Sequence, residues 1–338
     1  MVRHRLVAVS AALAFVMTAV SQTIAAEPVQ TYKVTTTVAL GNPDRWDFVI
    51  FDPVPKRVYV AHGRKISVVD GLKGTLIGTI GTFAGDTQGI GISTATGTGY
   101  TDDGEAGVVV PFNLATLKLG TPIPAAPDTD AIVFDPSTNH MLAINGESGS
   151  VTVIDPRRNA VVATITAGAE LDAGVVDGKG MFFVDGAKNN EVVRISTATN
   201  TINAHWALPT CKTPRGIAMD TTARRLFVTC TNKVMVVVNA DTGNSIATLP
   251  IGSLSDGAAF DPVRHLAFSS NGDGTLSVIQ ERDSNTFVSS GTIKTMRGAR
   301  TMAIDQKTGR LFLAAADIGR HGKFIPGSLK LLILDPTT

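Results

Sequence analysis

The sequence predicts an all-β fold, a seven-bladed β-propeller of four-stranded antiparallel blades, on three observations. A short apolar strand running into a turn recurs seven times at intervals of about 42 residues, a period that belongs to propeller blades. Each interval holds further short strands separated by Gly, Asn, Asp and Pro turn signals. The final interval lacks its last strand, and a spare strand of that type stands ahead of the first.

Composition agrees with many strands and tight turns. The 338 residues include 33 Gly and 16 Pro, with 43% hydrophobic, 6% aromatic and 17% charged residues. Lys and Arg number 30 against 29 Asp and Glu. That balance argues against a dedicated nucleic-acid binder, which needs many cationic contacts to phosphate, and against an acidic disordered chain.

Residues 1–26 read as a secretory signal peptide. Arg3 and Arg5 precede an apolar and weakly polar run from Leu6 to Val20, and Ala25 and Ala26 supply small residues for cleavage. At about 15 residues the run is short of the roughly 20 that a bilayer-spanning helix needs. Cleavage leaves 27–338, expected to be one propeller domain, monomeric and soluble in a periplasm or other secreted space.

The spare strand comes next, Tyr32 to Gly41 (YKVTTTVALG), and then the anchors that end each inner strand. These are Asp52 (DFVIFDP), Thr94 (GIGISTA), Asp135 (DAIVFDP), Asp177 (DAGVVDG), Asp220 (GIAMDTT), Asp261 (DGAAFDP) and Asp305 (TMAIDQK). At an Asp-Pro turn the carboxylate caps backbone amides and Pro presets φ. A second strand follows (RVYVAH, RLFVTC), then a hairpin (NGES, NGDG), a third strand (ISVVD, VTVID), a turn such as DTGN, and a fourth strand (TLIGTIG, VVATITAG). Blade two is the weak copy, with Thr94-Ala95 in place of Asp-Pro and TGTGYTDDG as a poor second strand. Asn271 to Thr275 (NGDGT) reads as a type I′ hairpin turn rather than a calcium loop, whose remaining ligands and distal Glu are missing. Little chain follows Asp335, so the spare strand is expected to complete the seventh blade and remove the open sheet edges.

The copies of DP..KRVYVAH...ISVVD resemble the YVTN-repeat β-propeller family, and the mature chain as a whole resembles its secreted, YncE-type members. The resemblance implies a seven-bladed propeller and little about activity, because one scaffold of this kind carries many functions.

Five residues ahead of the anchors, where the inner strands begin, stand Asp47, Gly89, Asp130, Asp172, Arg215, Asp256 and Arg300. A ring of blades gathers these at one mouth of the central channel, where four carboxylates and two guanidiniums suit a polar ligand. Between Asp305 and Asp335 the chain is about 11 residues longer than in the other units, in the loop Asp317 to Leu329; long loops in compact folds are commonly functional. Arg45, Arg297, Arg300, Arg320, His321 and Lys323 accumulate on this side of the mouth, and Asp128, Asp130, Glu170 and Asp172 on the other. The expected binding set is therefore Trp46, Asp47, Asp130, Asp172, Arg215, Asp256, Arg300 and His321. It would serve a small polar or anionic ligand, or a periplasmic protein or peptide.

No CxxCH, CxxC or HExxH occurs, nor a GxSxG elbow, a P-loop or GxGxxG, which removes several cofactor and nucleophile classes. No cofactor and no metal is expected. His62, His321 and Asp47 would make a thin metal site, and His140, His205 and His265 read as surface structure. The enzymatic alternative is analogy at the level of fold to propeller lactonases: a hydrolase with Asp130 or Asp172 in acid-base roles and Arg215 or Arg300 stabilising an oxyanion. Cys211 precedes the inner strand of blade five and Cys230 ends its second strand. An even pair in an oxidising compartment, on one face of adjacent strands, is expected to form a disulfide.

Overall fold

The structure, a computed structural model, describes residues 1–2, 31–43, 45–168, 170–319 and 322–337. The expected signal segment, apart from Met1 and Val2, lies outside the described residues, as do Arg320 and His321 of the long loop. The described residues form seven four-stranded antiparallel sheets.

Blade one is β2 (Trp46–Asp52), β3 (Arg57–His62), β4 (Lys65–Asp70) and β5 (Thr75–Ile80). Blade two is β6 (Ile90–Ser93), β7 (Thr98–Asp103), β8 (Val108–Asn113) and a fourth strand of two residues, β9 (Ile123–Pro124). Blade three is β10 (Thr129–Asp135), β11 (His140–Asn145), β12 (Ser150–Asp155) and β13 (Ala160–Thr166); blade four is β14 (Leu171–Val176), β15 (Met181–Gly186), β16 (Glu191–Ser196) and β17 (Thr201–Ala207). Blade five is β18 (Pro214–Asp220), β19 (Arg225–Cys230), β20 (Val234–Asn239) and β21 (Ser245–Pro250); blade six is β22 (Ser255–Asp261), β23 (Leu266–Asn271), β24 (Thr275–Asp283) and β25 (Thr286–Lys294). Blade seven joins β26 (Met302–Asp305), β27 (Arg310–Ala315) and β28 (Lys330–Thr337) to the N-terminal β1 (Thr31–Ala39).

The ring closes as the sequence requires. β1 pairs antiparallel with β28, Tyr32 opposite Pro336 and Val38 opposite Leu331. Its Tyr32 ring meets Phe268 of blade six edge-on at 5.2 Å, and Val38 joins the buried cluster that packs blade seven on blade one.

The anchors work as turn caps. The amides of Val54, Ser137, Thr222 and Val263 donate to Asp52, Asp135, Asp220 and Asp261 at 2.7–3.1 Å. Four residues on from these anchors, Lys56, Asn139, Arg224 and His265 take a left-handed conformation. Blade two departs from the sequence reading by one residue. Ser93, not Thr94, holds the anchor position: it pairs with Thr98 as Asp52 pairs with Arg57. The stretch expected to be a poor second strand is β7, paired along its whole length with β8.

The hydrophobic core is divided among the seams between neighbouring blades, a buried cluster to each. Tyr59 of blade one packs with Phe112 of blade two, and Phe227 of blade five stacks on Phe260 of blade six at 5.2 Å. Side-chain alternation along each strand sends successive residues to opposite seams. Each large side chain so buried contributes about 2 kcal/mol.

The disulfide is present. Cys211 and Cys230 are bonded with their Cα atoms 5.5 Å apart, and both lie in the seam between blades four and five.

Candidate ligand site at the channel mouth

The starts of the inner strands converge at one end of the ring on a cavity of about 320 Å³. Asp47, Asp130, Asp172, Arg215, Asp256 and Arg300 all line it, so the repeat register correctly brought these six together. Gln88, Thr231 and Ser255 add neutral polar groups. Phe48 of blade one also lines it and packs against the clusters of blades three to five. It therefore reaches across the ring axis within this cup at the mouth.

Two guanidiniums serve four carboxylates. Arg215 donates Nη1 to Asp172 Oδ2 at 2.5 Å. Arg300 Nε lies 3.0 Å from Asp256 Oδ2, and its Nη2 lies 3.9 Å from Asp47 Oδ2 and donates to the Trp46 carbonyl at 3.3 Å. The shortfall of positive charge is felt in the acids. Burial and then the Asp256 carboxylate push Asp47 up to about 7, against the pull of Arg300, Arg45 and Arg215. Burial, then Asp172 and Asp47, hold Asp130 well above the usual carboxylate range. Asp172 is raised in the same way by burial and Asp256, although Arg215 opposes the shift.

Two further acids lie deeper. Asp185 is fully buried with no hydrogen-bond partner on either oxygen, and burial raises its carboxyl well above the ordinary value. Asp102 accepts from the amides of Gln88 and Gly89 at 2.8 Å each, and burial still outweighs those bonds. Sequence reading missed both. They stand next to last in the second strands of blades two and four, where blades one, three and seven carry Ala61, Ile144 and Ala314 and blades five and six carry Thr229 and Ser270. A carboxylate at a position otherwise aliphatic or hydroxyl-bearing was the available signal.

Trp46 is not in the carboxylate cup. It lines an adjoining cavity of about 520 Å³ with Arg45, Arg297 and Phe324, and Leu254 and Arg300 line both spaces. Trp46 and Phe324 meet edge-on at 4.9 Å, and the buried indole Nε1 has no hydrogen-bond partner. The long loop delivers Phe324 by folding on itself: the amides of Gly319 and Ile325 donate to the carbonyls of Lys323 and Asp317 at 2.8 Å, and Lys330 Nζ pairs with Asp317 at 2.7 Å. His321, the eighth expected site residue, lies outside the described residues.

Other candidates resolve into structure. His62 is buried, with ring nitrogens 2.7 Å from Ser67 Oγ and 3.0 Å from the Pro43 carbonyl, a tie that Asn145 and Asn271 make to hydroxyls in blades three and six. The Asn271 to Thr275 segment is a hairpin, but with a three-residue loop in which Gly274 alone has positive φ, rather than a type I′ turn. Its Asp273 carboxylate accepts from Ser253 and Thr275. His205 faces Glu191 at 3.2 Å on the outer strand.

No protein-family model and no curated protein matches the sequence. Among solved structures the chain is similar to Kuenenia stuttgartiensis hydrazine synthase, at 12% identity with a TM-score of 0.70 over 81% of this chain and 93% of that one. It is also similar to a chain in the crystal structure of the mitotic checkpoint complex, at 15% identity with a TM-score of 0.75 over 96% and 98% of the two. Identities this low carry the fold alone, and with the sheet order they make the chain a seven-bladed β-propeller.

Proposed function

We propose that the protein is a secreted or periplasmic binding scaffold of the YVTN-repeat, YncE-type kind. Its channel mouth would take a polar ligand with an anionic end, free or displayed on a peptide or protein, without chemistry. The observation that carries this reading is the double cavity. Arg45, Arg297 and Arg300 stand around the Trp46–Phe324 pair on one side of Leu254, and the acid-lined cup opens on the other. The anionic end would sit against the guanidiniums. Burial and mutual crowding shift these carboxyls toward their protonated forms, which lessens their repulsion of such a ligand.

The test is calorimetric titration of carboxylate and phosphate metabolites at two ionic strengths. Binding should weaken with salt and fall by roughly tenfold or more in Arg300→Ala, the loss expected of one charge-assisted hydrogen bond. If no anion binds, or if binding ignores both changes, the assignment is wrong.

A second reading rests on the raised carboxyls of Asp47, Asp130 and Asp172, since an acid tuned toward neutrality suits proton transfer. It is a lactonase-like hydrolase with Arg215 or Arg300 on the oxyanion. It requires turnover of some lactone or ester in a panel, with loss of activity by a factor of about 100 or more in Asp130→Asn or Asp172→Asn. A protein inert to the whole panel excludes it.

Export is supported by the Arg3, Arg5 and Leu6 to Val20 pattern and by the buried disulfide. Mass spectrometry of the exported protein should find a mature chain beginning near residue 27; an intact N-terminus would refute cleavage.

A further inference from the structure

On the face opposite the mouth, blade six breaks the repeat. Its β24 and β25 run nine residues each, where the third strands of blades one to five run six. The extension changes one position. In blades one, two, four and five the residue whose amide donates to the carbonyl of the left-handed turn residue, or of Gly180 in blade four, is Gly71, Leu114, Thr197 or Ala240; in blade six it is Glu281, bonded to the His265 carbonyl at 2.9 Å. Glu281 is 4% exposed, and no N–H or hydroxyl donor reaches either of its oxygens, whose hydrogen-bonding neighbour is the Asp220 carboxyl.

What it faces is the anchor of blade five. In four other blades the anchor's second oxygen accepts from a donor, Thr138 at Asp135, Arg224 at Asp177, Arg264 at Asp261 and Thr308 at Asp305, while in blade one Asp52 Oδ2 is buried with no hydrogen-bond partner. Asp220 accepts from the amides of Thr222 and Ala223, and its carboxyl stands against that of Glu281. One donor atom each from Asp220, His265 and Glu281 lies within 4.8 Å of the others, with His265 Nδ1 3.9 Å from Glu281 Oε2. The nearby cation is engaged elsewhere: Arg225 donates to the carbonyls of Ser284, Ala223 and Arg224 and to Asn285. Asp283, at the end of β24, adds negative charge.

We infer that Asp220, His265 and Glu281 form a divalent transition-metal site that joins blades five and six. Two carboxylates neutralise one such ion, and an imidazole beside them selects zinc or a neighbouring first-row metal over calcium and magnesium, which take oxygen. In the tetrahedral geometry of zinc, donors bound at roughly 2.0–2.2 Å stand about 3.3–3.6 Å apart. His265 is 58% exposed, so its side chain has room to turn toward the two buried acids. The remaining coordination positions go to water.

The probe is Zn²⁺ alone, added to tag-free mature protein stripped with chelator. One equivalent should bind by equilibrium dialysis and metal analysis, and the melting temperature should rise by roughly 5 °C at a hundredfold excess over Kd. Glu281→Gln and His265→Asn should each weaken binding at least about tenfold. Asn occupies the matching left-handed position at Asn139, so His265→Asn keeps the fold and tests the ligand even if Glu281→Gln folds poorly. Equal concentrations of Ca²⁺ or Mg²⁺ should not compete. No saturable zinc binding, or zinc binding that both variants leave unchanged, overturns the inference and leaves Glu281 as an acid sharing a proton with Asp220.

Discussion

At Asp47 the folded protein holds a proton that the unfolded chain has released, because burial and Asp256 move the carboxyl from 3.8 to about 7. A raised carboxyl contributes stability that is complete below the unfolded value and is lost as pH climbs through the folded one. Asp47→Asn should therefore match the wild type near pH 4 and become the more stable protein by pH 8, by roughly 1 to 2 kcal/mol once the cup's contact with water is allowed for. Urea titrations at both pH values check this, and a difference that does not change with pH would contradict it. The six charged residues of the cup were legible because they occupy one register position in a repeat. Phe48 was not, since its role depends on what lies across the ring, and neither was the Asp220–Glu281 contact, which brings together acids of two different blades.

Among the elements, the junction of β18 with β19 shows what local pattern does and does not carry. Cys211 and Cys230 stand 19 residues apart in sequence and are 2% and 1% exposed, so the bond closes a short loop inside a blade seam. Replacing both by Ser should cost about 3 kcal/mol by chain entropy, seen as a fall of roughly 5 °C in melting temperature, while the fold survives on its seams. An unchanged melting temperature would remove the staple from the stability account. Blade two taught the opposite lesson. TGTGYTDDG lacks the apolar alternation of its counterparts, yet β7 pairs fully, with Tyr100 buried and donating its hydroxyl to Asn159 of blade three at 2.6 Å. Here contacts between blades override weak local preference, and those contacts are invisible to any window of sequence.

For the molecule as a whole, ring order was readable because seven units and one spare strand leave no other way to satisfy the last sheet. Deleting 31–39 should therefore abolish folding: β28, with its buried Leu331, Leu332, Ile333 and Leu334, would become an unpaired apolar edge prone to aggregation. A soluble truncated monomer with the wild-type melting temperature would refute this. The same pairing orders events in time. Thr31 and Thr337 share a hydrogen bond across 306 residues, so the first strand to emerge from a ribosome waits for the last before it has a partner. Any nascent chain that stops short of Lys330 keeps an open seam and an unmated leading strand. Chains halted before Lys330 should accordingly be clipped at 31–39 by a protease that leaves the finished ring whole.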